Sequence, residues 1–152
     1  MQIDKELYKK FPAVLKDKLM NGEIEFPSIT EFEYERKYVY RAVERKNNDN
    51  HKVTIEDFKS YFELGKTPKK ARGSIEYWKK KAEYYGVSSF LKKEIVEQQM
   101  HFPNPNKKMA EGYVFCEGGP QCTNINKQHV CWWLYEGADV SNFKIVEEEK
   151  ND

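Results

Sequence analysis

Residues 129–136 read His129-Val130-Cys131-Trp132-Trp133-Leu134-Tyr135-Glu136. Six consecutive apolar positions carry no alternation, so this is neither a half-buried strand of period two nor a surface helix of period 3.6. A short run of β-branched and aromatic residues fits a strand buried on both faces, and the sequence places it at the centre of a sheet. Around it the last third of the chain reads as strand: residues 109–116 before it, residues 143–147 after it, with Gly118-Gly119-Pro120 in the intervening loop. One strand lies far upstream. Residues 37–45, KYVYRAVER, alternate, with Tyr38, Tyr40 and Ala42 on one side and Val39, Arg41 and Val43 on the other.

The rest of the first two thirds reads as helix. Leu7, Phe11, Val14, Leu15 and Leu19 sit near helical spacing over residues 4–20, with Asp4 as a cap, Pro12 as a break and Asn21-Gly22 as the stop. Thr54-Ile55-Glu56-Asp57 is close to a capping box before a short helix ending at Gly65. Ser74 opens a helix over 74–85, and Val87-Ser88-Ser89-Phe90 leads into another whose inner face is Phe90, Leu91, Ile95 and Val96. Helices early and strands late give an α+β fold: a small mixed or antiparallel sheet, made of one early strand plus C-terminal strands, packed with about four helices. The expectation is a single domain over 1–152, with 148–152 a frayed tail.

Composition narrows the function classes. The 152 residues carry 26 basic and 25 acidic side chains, so the formal net charge is +1. Dedicated nucleic-acid binders draw their affinity from a basic excess that this chain lacks. One basic stretch, Lys66, Lys69, Lys70, Arg72, Lys79, Lys80 and Lys81 around Tyr77 and Trp78, keeps a nucleic-acid reading in third place. No apolar run reaches membrane-spanning length and the first ten residues lack a signal-peptide core, so a cytoplasmic protein without membrane contact is expected. Three cysteines are an odd number for a disulfide framework, and reduced thiols follow.

Cys116, Cys122, His129 and Cys131 are four soft ligands spaced Cys-x5-Cys-x6-His-x-Cys. A zinc site ordinarily announces itself by a C-x2-4-C pair, which is absent, so no metal and no cofactor are expected. Arg41 is the unusual residue. It shares a strand face with Val39 and Val43, and a guanidinium withdrawn from water stays charged and needs an anionic partner. The favoured reading gives it a carboxylate of the protein in a structural ion pair. The other reading places it in an open pocket beside Ser60 or Ser88.

Tyr40-Arg41-Ala42, followed by Phe58-Lys59-Ser60 in DFKSY or by Ser88-Ser89-Phe90 in GVSSF, resembles the first two elements of ADP-ribosyltransferase-like domains. The resemblance implies NAD as cofactor, with Arg41 on its phosphates or ribose and Ser60 or Ser88 positioning the nicotinamide ribose. It also implies a catalytic glutamate, for which Glu147 and Glu149 of Glu147-Glu148-Glu149 have the Glu-x-Glu spacing. Charge-rich, aromatic-rich and motif-poor, the chain reads first as a module that binds a macromolecular partner, most simply a protein. The NAD-using enzyme is the alternative.

Overall fold

The computed structural model describes residues 5–33, 35–46, 51–65, 75–99, 101 and 105–146. Six strands form one sheet: β1 (Lys37–Glu44), β2 (Val87–Phe90), β3 (Lys107–Val114), β4 (Gln121–Asn124), β5 (His129–Trp132) and β6 (Lys144–Ile145). Their order is β4-β5-β2-β1-β3-β6, and every pairing is antiparallel. The α-helices are α1 (Ala13–Met20), α2 (Tyr61–Leu64), α3 (Ile75–Trp78) and α4 (Lys93–Gln99), supplemented by short 3-10 turns. The fold is α+β. No helix among the described residues is long and apolar enough to cross a membrane.

The apolar run at 130–135 behaves as its composition demands, with one change of position. β5 is interior and buried on both faces, but it lies second from the edge; the middle of the sheet is β2 and β1. The strand ends at Trp132, because the Trp133 amide donates to the carbonyl of Pro120 and the chain then follows the Gly118–Pro120 loop. Trp132 and Trp133 point to opposite sides. Trp132 joins a cluster with Val39, Val43, Val87, Ala110, Val114 and Val130, covered by Val53, Phe58, Val140 and Phe143. Trp133 joins a second cluster with Phe11, Leu15, Leu19, Phe26, Tyr84, Tyr85 and Cys131. Both indoles are fully buried and both N–H groups are satisfied, by Gly119 O at 3.0 Å and Ala82 O at 2.8 Å.

Several local expectations change. Residues 87–90 form β2 rather than the approach to a helix: Val87 and Ser89 are buried while Ser88 and Phe90 are half-buried, a period of two that the paired serines hide. The helix expected over 74–85 breaks after Trp78. Lys81 is extended and Ala82–Tyr85 is a 3-10 turn, whose first carbonyl, Ala82 O, accepts from the Trp133 indole. β4 has no apolar signature at all. Its backbone is held by β5 on one side and by a bridge to Glu31 on the other. β6 shrinks to two residues, and beyond it the side-chain amide of Asn142 takes over. Its Oδ1 accepts from Tyr113 N–H at 2.6 Å and its Nδ2 donates to Tyr113 O at 3.4 Å. The expected break at Pro12 separates a 3-10 turn, Lys5–Lys10, from α1.

Candidate binding surface

The register joins all six strands at one level. Lys144 pairs with Glu111, Glu111 with Tyr40, Tyr40 with Phe90, Phe90 with His129, and His129 with Asn124. Directly paired residues point to the same side of a sheet, so these six form one row on one face. Tyr38 and Tyr113, paired with each other, belong to the same face two residues along. Tyr38, Tyr40, Tyr113 and Glu111 thus occupy the corners of a two-by-two grid. Tyr38 meets Tyr40 at 5.6 Å and 77° and Tyr113 at 4.9 Å and 78°, both edge-to-face. Tyr113 is 42% exposed, and Tyr38, Tyr40, Phe90 and His129 are half-buried. The face is therefore lined by rings that remain within reach of solvent.

The electrostatics of the grid centre on Glu111. Burial raises the Tyr38 phenol to about 12, and the nearby Glu111 carboxylate adds to that rise by disfavouring a phenolate. Lys144 Nζ stands 3.7 Å from Glu111 Oε1, with the lysine exposed and the glutamate side chain 19% exposed. At the other end of the row, His129 Nε2 lies 2.9 Å from Ser88 Oγ, and the ring packs edge-on against Phe90 at 5.2 Å. Burial, assisted by Lys127, lowers the His129 pKa, so its neutral form is favoured.

Arg41 lies on the reverse face, and its partner corrects the expectation of a protein carboxylate. β1 and β2 share one bridged pair, Tyr40 with Phe90, and then part. Counting along the β2–β5 ladder from the bond between Leu91 N–H and Gln128 O puts Ser88 at a position whose carbonyl faces β1. Arg41 Nη1 donates to that carbonyl, supplying the bond that the parted strands no longer make. Its guanidinium also lies 5.4 Å from the Phe58 ring centroid. Nε is buried without a partner, as is the hydroxyl of Ser89 on the neighbouring strand. Burial lowers the Arg41 pKa to about 10. The carboxylate went four residues along: Arg45, 1% exposed, holds both oxygens of Asp57 at 2.7 and 2.8 Å and donates to the carbonyls of Glu44, His51 and Lys52.

Ser60 is 2% exposed and caps α2. Its Oγ accepts from Glu63 N–H at 3.2 Å, and the Glu63 carboxylate accepts from Ser60 N–H at 3.2 Å. Ser88 is brought beside Arg41 through its backbone and beside His129 through its side chain. Glu147 and Glu149 lie outside the described residues, as do Lys66, Lys69, Lys70 and Arg72 of the basic stretch. Cys122 and Cys131 are paired across β4 and β5 as free thiols, while Cys116 begins a 3-10 turn. Among the described residues no three His, Cys, Asp or Glu side chains converge as a metal site would require.

An open cleft of about 570 Å³, lined by Lys10, Phe115, Glu117, Tyr135 and Asp139 among others, includes none of Arg41, Ser60 and Ser88. The residues that sequence reasoning missed as a surface are Tyr113, Glu111, Phe90 and Lys144. Alternation within residues 37–45 sets Tyr38 and Tyr40 on one side, but pairing partners come from register, which one strand cannot give. No family model matches the chain, and no curated protein or solved structure matches it.

Proposed function

We propose that the protein is a binding module for another protein and that the tyrosine-lined end of the β1–β3 face is its contact surface. The observation behind this reading is the half-exposed grid of Tyr38, Tyr40 and Tyr113. Tyrosine supplies large contact area for little lost rotamer freedom and is enriched where proteins meet. Protein-binding surfaces need such an aromatic anchor more than a deep pocket. A photo-crosslinking amino acid placed at position 113, and in a control at the 65%-exposed Ile125, tests it in extracts of the native source. The expected result is one discrete crosslinked protein from position 113 and none from position 125. Identical patterns from the two positions, or no crosslink at 113, would refute the reading.

A second reading, an NAD-using enzyme resembling ADP-ribosyltransferases, draws on one observation. The Arg41 guanidinium has no carboxylate within ion-pair distance among the described residues, and it lies next to Ser88 with the unpartnered Ser89 hydroxyl on the neighbouring strand. A guanidinium in that state suits a phosphate oxygen. Calorimetric titration with NAD of the wild type and of Arg41→Met decides it: binding by the wild type and none by a folded variant supports the enzyme, and heat indistinguishable from buffer in both removes it.

A further inference from the structure

We propose that the Tyr38–Tyr40–Tyr113 grid, with Glu111 at its fourth corner, seats an arginine side chain of the protein partner; this rests on the protein-binding reading above. Three features of the grid select a cation. First, edge-to-face packing at 77° and 78° turns the faces of neighbouring rings in different directions. A ring face carries the negative side of the π quadrupole, which attracts a cation.

Second, the fourth corner is a carboxylate. Glu111 is mostly withdrawn from water; the Tyr38 phenol beside it donates toward its carboxylate, and its cationic partner is the exposed Lys144 at 3.7 Å, beyond hydrogen-bond distance. A purely apolar occupant would desolvate Glu111 further with nothing in return, and an anionic one would repel it. A guanidinium satisfies both demands at once, because its plane stacks on an aromatic face while its N–H fork reaches a carboxylate.

Third, the chain already uses this chemistry on its other rings. Lys10 lies 5.2 Å from the Tyr135 centroid, Lys18 5.9 Å from Tyr85, Lys81 5.2 Å from Tyr77 and Arg36 5.6 Å from Phe115. Among the described residues no cation lies over Tyr38, Tyr40 or Tyr113. The grid sets tyrosine rings beside a carboxylate with no cation seated on them among the described residues.

The test is a heteronuclear NMR titration of the whole chain with N-acetyl-arginine amide, with N-acetyl-citrulline amide as the neutral isostere. Arginine should shift the amides of Tyr38, Tyr40, Gly112 and Tyr113 saturably, with an affinity in the millimolar range expected of one partly exposed cation–π contact plus one ion pair. Citrulline should leave them in place. Glu111→Gln should weaken arginine binding about fivefold, the size of a surface ion pair. Lys144→Ala should tighten it, because the competing ammonium is gone, and a folding defect cannot mimic that gain. Equal shifts with citrulline, no saturable shift with arginine, or weaker binding in Lys144→Ala would each overturn the arginine seat. The crosslink from position 113 does not depend on a cation, so it separates loss of this proposal from loss of the protein-binding reading.

Discussion

Arg41→Met and Arg45→Met, two identical changes four residues apart, one within β1 and one just past its end, should differ severalfold in cost. For Arg41, burial lowers the pKa from 12.5 to about 10, which disfavours the charged form by about 3 kcal/mol. Offsetting this are one charge-assisted hydrogen bond to Ser88 O, about 1.5–3 kcal/mol, and a ring contact with Phe58, about 0.5–1 kcal/mol. Methionine keeps the apolar stem and removes both the penalty and the compensation. The net change should stay within about 1 kcal/mol, or about 4 °C in melting temperature for a chain of this size. Arg45→Met instead strands the carboxylate of Asp57 without its bidentate partner. Breaking a buried pair from one side costs about 3–5 kcal/mol, which lowers the melting temperature by about 6–20 °C. Thermal and urea denaturation followed by circular dichroism at pH 7 measures both. Arg41→Met destabilising the protein as much as Arg45→Met would refute the reasoning, because Arg41 would then have to hold a full ionic partner.

Asp57 gives the acid side of the same pair. Burial works to raise its pKa, but the hydrogen bonds from Arg45 and Thr54 outweigh it and leave the pKa lowered. Its stabilisation is therefore complete above the unfolded value near 3.8 and is lost as pH falls through the folded value; denaturation midpoints of Asp57→Asn should be lower at neutral pH and flatter below pH 4. His129 acts in a separate window. Its lowered pKa means that the unfolded chain takes up the proton first, so stability declines as pH drops below about 6.5, and His129→Gln should remove that decline in a pH series of melts. Gly119→Ala should cost about 3 kcal/mol or more, since φ is +141° and a Cβ would overlap the Trp133 carbonyl; an unchanged urea midpoint would contradict the loop packing. Trp132→Ala and Trp133→Ala should each cost about 3–5 kcal/mol in the same assay.

The parts of the fold written in side-chain pattern could be read from sequence. The Tyr38/Val39 alternation, the unbroken Val130–Tyr135 run and the Pro12 break each act through residues within one turn or one strand, whereas the Thr54–Asp57 box closes a 3-10 turn of its own and the helix ending at Gly65 is capped by Ser60 instead. β4 could not be read that way: Gln121-Cys122-Thr123-Asn124 becomes a strand because β5 and Glu31 take its backbone groups, and backbone groups leave no trace in composition. β2 was obscured for a related reason, since Ser88 and Ser89 have similar polarity while only Ser89 is fully buried. The candidate surface was half legible. Alternation puts Tyr38 and Tyr40 together on one side of β1, but the partners Glu111 and Tyr113 arrive through a register spanning about seventy residues. Arg41 and Arg45 show the limit most sharply. One lies within β1 and the other just past its end, and which of them holds the carboxylate in a bidentate pair depends on how the segment carrying Asp57 folds back.

Trp132 and Trp133 put the two apolar clusters of the molecule on either side of a single peptide unit. Neither cluster can loosen on its own, because a rotation that releases one indole drags the backbone that anchors the other. Heating should therefore melt both halves in one step. The amide proton of Trp133, bonded to the Pro120 carbonyl, should exchange with solvent only at the rate at which the whole chain opens. An indole fluorescence transition at a lower temperature than the loss of far-ultraviolet signal would mean that one side of this hinge lets go first. The doublet works less like two bricks in a wall than like a shared axle, through which strain applied at the N-terminal helix is felt by the strand face that carries Arg41.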